Sequence, residues 1–163
     1  AVEALARARG HATGRITVKP TLFNLVVWRS IYEADGRFYV DAVRAGLGAP
    51  TVYPGESAPR FRPEVDAPAV ARGSRLERDI ARFTHFSDGW VALHPDRPEV
   101  LGDLRYAMLP NEVAPLWGIV IDPARSGEPA PFENYREVTP ARRRGFLAML
   151  RGLPADEVAS AGK

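Results

Sequence analysis

The stretch from Leu25 to Val43 reads LVVWRSIYEADGRFYVDAV, and it decides the fold class. Two β-branched and aromatic runs, Leu25 to Tyr32 and Phe38 to Val43, flank Asp35-Gly36. Glycine takes the positive φ that a tight turn demands at no steric cost, so the pattern predicts an antiparallel hairpin. With period two, Leu25, Val27, Arg29 and Ile31 share one face, and Val26, Trp28 and Tyr32 share the other. Asp41 lies between Tyr39 and Val43, so charge is threaded through both strands.

Working outward, a short strand from Ile16 to Val18 precedes the hairpin and Pro20 ends it. The segment 46–73 holds Pro50, Pro54, Pro59, Pro63 and Pro68, which reads as a long loop with one short extended piece. Ser74-Arg75-Leu76-Glu77 is a capping box. It opens an amphipathic helix carrying Leu76, Ile80 and Phe83 and ending near Phe86. Trp90 to Leu93, Leu101 to Met108 and Leu116 to Ile121 read as three further strands, with a loop from Pro123 to Pro131 after them. Thr139-Pro140 starts a last helix, buried through Phe146, Leu147 and Leu150 and stopped by Gly152 and Pro154. There is no internal repeat. The expected fold is α+β: one antiparallel sheet of about five to six strands, with two or three helices packed mainly on one face.

Composition narrows the function classes. The 163 residues, 45% hydrophobic and 26% charged, suffice for one domain with its own core. No cysteine is present, which removes disulfides, thiolate zinc sites and cysteine nucleophiles. The bases are almost all arginine, with lysine only at Lys19 and Lys163, yet carboxylates nearly balance them to a net charge of +2. Nucleic-acid binding calls for a concentrated basic patch and ranks lowest. The densest run, Arg142-Arg143-Arg144, reads as a solvated helix face before a phosphate site. The longest apolar run, Leu22 to Trp28, is broken by Asn24 and is too short to span a bilayer.

Motifs for known chemistry are sparse. GxSxG, SxxK, HExxH and glycine-rich phosphate loops are absent, and Gly46-Leu47-Gly48 lacks a following helix. His11, His85 and His94 are the three histidines. His85, Asp88 and His94 are weak metal candidates, on the condition that the strand after Gly89 folds back beside the helix end. The charges within strands say more. Arg29, Asp41, Asp103 and Arg105 alternate with apolar residues, and an unpaired buried charge is costly. They either form Arg–Asp pairs on a sheet face or line a pocket in which an arginine binds a small anionic ligand.

Several of these motifs occur together in one known family. Pro20-Thr21, Asn24, Trp28-Arg29, Tyr32 and Tyr39-Val40 form one group. Phe83 to Trp90, with Phe86-Ser87-Asp88-Gly89 at its centre, forms another. Asp103-Leu104-Arg105-Tyr106 and Pro115-Leu116-Trp117-Gly118 complete the set. From Ile16 to Ile121 the chain resembles the carboxy-terminal region of the inner-membrane-associated, metal-dependent hydrolases of bacteria, a family also labelled LexA-binding.

The resemblance implies a soluble accessory part of a membrane-bound hydrolase, following transmembrane helices and a histidine motif for a divalent metal. Neither is in this sequence, so no metal ligand carries over and no cofactor is expected within it. The start at Ala1, in a helical pattern without methionine, fits such an upstream region. The implied organisation is a helical connector over 1–14, the α+β domain over 15–153 and a flexible tail over 154–163. The implied partner is the upstream transmembrane region. Two functions stay open: ligand or partner binding, and an Arg/Asp-lined pocket contributed to a hydrolase active site.

Overall fold

A computed structural model describes every residue except Leu22, Phe23, Leu47, Gly162 and Lys163. The start of the Leu22–Trp28 run, the centre of Gly46-Leu47-Gly48 and the last two tail residues therefore lie outside the described residues. In chain order the described elements are α1 (Val2–Ala8), β1 (Ile16–Pro20), β2 (Val27–Ala34), β3 (Arg37–Arg44), β4 (Thr51–Tyr53) and β5 (Ser57–Pro59). Then follow α2 (Pro63–Asp66), α3 (Arg75–Phe86), β6 (Val91–His94), β7 (Arg97–Asp103) and β8 (Trp117–Val120). A 3-10 turn (Pro123–Arg125), β9 (Phe132–Asn134), α4 (Pro140–Arg151) and α5 (Ala155–Ala161) complete the chain.

The hairpin forms as its sequence dictates. Asp35 and Gly36 take φ of 50° and 70°, the double left-handed turn that Asp-Gly favours. Pairing then runs from Ala34↔Arg37 to Val27↔Arg44 without a bulge. This register puts Arg29, Ile31, Phe38, Val40 and Ala42 on one face, and Ser30, Tyr32, Tyr39 and Asp41 on the other.

The fold is α+β and its sheets are antiparallel, but the strands divide into two sheets instead of the expected one. One sheet has the order β1-β2-β3-β4, with β5 also on β3, and the other has the order β6-β7-β8-β9. The apolar face of the hairpin (Ile31, Phe38, Val40) packs against Trp90, Ala92 and Leu104 from the second sheet and its margin. Alternation reveals that a face is buried without revealing what buries it. Helices accordingly cover more than one face. α1 places Ala6 against Tyr32 and Ala34. α3 packs Leu76, Ile80 and Phe83 on Val91, Leu101 and Ile119. α4 and α5 bury Met149 and Val158 against Val27 and Ala42.

Three segments depart from expectation. The proline-rich stretch carries two short strands and a helix, because its prolines stand at borders: Pro54 follows β4, Pro59 ends β5 and Pro63 opens α2. It crosses between the sheets, pairing Ser57 with Tyr39 and then bonding the Phe61 N–H to the Val91 carbonyl. β7 occupies Arg97–Asp103, so Leu104 onward leaves the sheet. The segment after Pro154 is helical, with Val158 buried. Among the described residues no helix is long and apolar enough to cross a membrane.

α3 begins where the capping box places it. The Ser74 hydroxyl accepts the Glu77 N–H at 3.1 Å, while the Glu77 carboxylate accepts the Gly73 N–H at 2.6 Å. One turn later, Asp79 accepts from Arg75 (3.2 Å), Arg82 and the Ala130 N–H (3.0 Å), tying α3 to the chain before β9. Burial alone raises the Asp79 pKa, but these donors outweigh it and hold the carboxyl below the usual range. A depressed carboxyl contributes stability above its unfolded pKa of about 4 and loses it as pH falls through the folded value. Asp79→Asn should therefore cost about 2 kcal/mol at pH 7, with the gap to the parent chain closing by about pH 2. Urea denaturation at the two pH values checks both size and sign.

Candidate functional site

The sequence-selected charges fall into three separate networks instead of one pocket. Asp41, 1% exposed, lies on the outer face of β3. Arg9, just past α1, donates to both its carboxylate oxygens at 2.8 Å, and the Gly55 N–H adds a third bond at 3.1 Å. Arg9 also donates to the Tyr32 hydroxyl, which lies 2.9 Å from His11 Nδ1, and Tyr39 stacks on Tyr32. Arg9 and His11 could not have been assigned to this clamp from sequence, because they stand some thirty residues from Asp41 with no local pattern to link them.

Arg29 lies on the opposite face and is buried. Its Nε donates to the Leu104 carbonyl at 2.9 Å, and Nη1 donates to Leu109 (3.3 Å) and Pro110 (3.0 Å). The guanidinium thus gathers in the segment where the chain leaves β7. Its Nη2 has no hydrogen-bond partner among the described residues. Burial pushes the Arg29 pKa down to about 9, against the opposing fields of Glu112, Asp103 and Glu56. The cation therefore persists at neutral pH, held by carbonyl dipoles.

Asp103 and Arg105 do come together, and Asp88 joins them. Arg105 donates to Asp103 through Nε (3.0 Å) and Nη2 (2.8 Å), to Asp88 through Nη1 (2.7 Å) and to the Phe86 carbonyl through Nη2 (2.8 Å). The hydrogen bond to Asp103 raises the Arg105 pKa, which fixes the charge. Arg15, just before β1, donates to the Gly89 carbonyl at 2.9 Å and to Glu33 at 2.8 Å, with its guanidinium 4.2 Å from the Trp90 ring. The turn after α3, where Asp88 and Gly89 take φ of 49° and 70°, is gripped from both sides. Arg105 thus spends its donors on internal acceptors, and Arg29 spends Nε and Nη1 on carbonyls while its Nη2 stays buried.

The metal candidates separate. His85 and Asp88 face one cleft, whereas His94 ends β6 with Nδ1 accepting the Asp96 N–H and its ring against Tyr135. Burial holds the His94 pKa below the usual histidine value. The fold-back after Gly89 occurs, but β6 carries His94 to its far end. Among the described residues no three His, Asp or Glu side chains are grouped to hold a metal ion. His85, Asp88 and His94 therefore do not form one metal site.

That cleft, of about 780 Å³, opens between the α2 segment and α3. Ala67, Val70, Ile80 and Ala81 give it apolar surface, and Glu64, Arg72, Glu77, His85 and Asp88 give it charge and polarity. Thr84 also lines it, with an Oγ1 that is shielded from solvent and lacks a partner among the described residues. Sequence reading missed this site because half its wall lies in the proline-rich stretch taken as loop. The one available signal was Ala67 and Ala81, small residues where larger ones would close the space.

Two substitutions test the arginine networks. Arg29→Met removes the donors of three carbonyls and should destabilise the chain by about 3 kcal/mol in urea unfolding. A neutral result would mean that the buried cation is a net liability. Arg105→Lys keeps the charge but not the fork, and should cost about 2 kcal/mol. It should also speed amide exchange at 87–90 more than elsewhere, read by hydrogen–deuterium exchange. Comparison with protein-family models, with curated proteins and with solved structures finds no match to this chain.

Proposed function

We propose that this chain is a soluble accessory domain of a membrane-bound, metal-dependent hydrolase, and that it binds a ligand or partner instead of catalysing alone. The cleft between the α2 segment and α3 carries this reading. Its volume of about 780 Å³ lies within the range of small-molecule sites, roughly 300 to 1,000 Å³. Its lining mixes apolar surface with a few polar groups, the usual composition of a binding site. The membrane parentage rests on the motif resemblance alone. Its support here is that two of the resembling motifs meet: Arg105 of one, held by Asp103, bonds Asp88 and the Phe86 carbonyl of the other.

The competing reading, an Arg/Asp pocket serving a hydrolase centre, has less to stand on. A catalytic arginine must aim free donors at a developing charge. Arg105 directs its donors to Asp103, Asp88 and a carbonyl, and Arg29 is closed off from solvent.

Ala81→Trp places an indole in the cleft from an exposed position of α3. In a small-molecule screen followed by NMR, ligands should shift the amides of Ala67, Val70, Ala81 and Thr84. The tryptophan variant should lose that binding at least tenfold while unfolding within about 0.5 kcal/mol of the parent, as surface substitutions do. Shifts that cluster elsewhere, or that survive the tryptophan, would remove the cleft from consideration. Steady hydrolysis of ester or phosphoester probes by this chain, with or without added divalent metal, would favour the catalytic reading.

A further inference from the structure

The cleft has the wrong sign for the chain that builds it. The protein carries a net charge of +2, yet the cleft is lined by Glu64, Glu77 and Asp88 against Arg72 as the single guanidinium. His85, neutral in that sum, stands beside them. Structural pairing does not exhaust these carboxylates. Glu64 makes no hydrogen bond or ion pair among the described residues. Glu77 uses one oxygen, Oε2, on the Gly73 N–H. Asp88 uses Oδ2 on Arg105, and its side chain is still 73% exposed. The neighbouring apolar surface comes from Pro63, Ala67, Pro68, Val70, Ile80 and Ala81.

We propose that the cleft receives a small organic cation, an ammonium or amidinium group attached to an apolar body of a few carbons. The proposal rests on the ligand-binding reading above and gives that ligand its charge. The apolar body lies on Ala67, Val70, Ile80 and Ala81, where it loses water-exposed area. The cationic head meets Glu64, whose carboxylate has no partner among the described residues, while Glu77 and Asp88, at opposite ends of α3, add to the negative field of the cleft. Charge-assisted hydrogen bonds to carboxylates are stronger than neutral ones and gain further beside apolar walls. An anionic ligand would meet one guanidinium, Arg72, against three carboxylates, and Arg105 is already committed to Asp103. A cleft of about 780 Å³ is the size of a small-molecule site, whereas a polypeptide segment needs an extended groove.

Three probes of one chain length separate charge from apolar contact: hexylamine, hexanol and hexanoate, titrated against the protein and followed by NMR. Hexylamine should shift the amides of 67–72 and 81–89 and bind at least tenfold more tightly than hexanoate, with hexanol between them. Its affinity should fall several-fold between low salt and about 0.5 M salt, as screening requires. Glu64→Gln should weaken hexylamine about fivefold and leave hexanol unchanged. Glu64→Lys should reverse the preference between amine and carboxylate. Both alter an exposed, unpaired side chain, so the fold is not at stake. Binding of hexanol and hexanoate as tight as that of hexylamine would overturn the cation while leaving the cleft a ligand site. Failure of all three probes would overturn both. A lysine-containing pentapeptide binding more than tenfold tighter than hexylamine would overturn the small-molecule assignment in favour of a polypeptide partner.

Discussion

The turn from Ser87 to Trp90 is held by two arginines, and the arrangement of the molecule depends on that grip. Arg15 reaches it from the strand-bearing amino-terminal half, bonding the Gly89 carbonyl while lying on Trp90. Arg105 reaches it from the margin of the second sheet, bonding Asp88 and the Phe86 carbonyl. A helix C-terminus leaves carbonyls without intrahelical partners, and cations there are favoured by the helix dipole. One cation just before β1 and one just after β7 fix the end of α3 relative to both sheets. The cleft inherits this rigidity, because His85, Asp88 and Gly89 lie on the gripped turn.

Each network also solves the problem of charge inside a sheet. A buried ion stripped of water must recover its hydration from protein dipoles, and a guanidinium can do so in several directions at once. Asp41 and Asp103 are nearly solvent-free and each meets an arginine fork. Arg29 takes the other route, with three carbonyls in place of a carboxylate. The Leu104 carbonyl comes from the stretch expected to run as strand to Met108, and those of Leu109 and Pro110 follow just after it. A strand would commit its carbonyls to a ladder, so the departure from β7 and the burial of Arg29 are one event. Glu112, close to this site, shows the cost from the acid side: burial raises its pKa although Arg142 bonds it.

Local chemistry was legible in the residues wherever it acts over a few positions. Asp35-Gly36 specified its turn, Ser74 and Thr139 capped their helices, and Gly152 closed α4 in a left-handed conformation. The face shared by Arg29 and Ile31 followed from the period of the strand. Pairings across long separations were not legible. Nothing near Asp41 announces Arg9, and nothing near Arg105 announces that Asp88 will swing beneath it. The second sheet was hidden for the same reason, since Trp90 and Ala92 bury the hairpin face without hydrogen-bonding to it. The proline-rich stretch misled because proline forbids the interior of an element but suits its edges.

The excess of arginine over lysine now has a physical account that does not involve nucleic acid. Lysine offers a compact, strongly hydrated point charge, whereas arginine offers five donors in a rigid plane and is more easily desolvated. Arg9, Arg15, Arg29 and Arg105 each use that geometry to join segments far apart in the chain. Lys19, on an edge strand, reaches only the Tyr106 hydroxyl and ring. The four arginines act as internal mortar, and the net charge says little about what approaches any one part of the surface. Where the surface does become concave, at the cleft beside α3, the unspent charge is mainly carboxylate. Arg29 and Arg105 are buried, but so are the acids Asp41, Asp79 and Asp103, so the sign of the cleft comes from the exposed acids that line it, Glu64 above all.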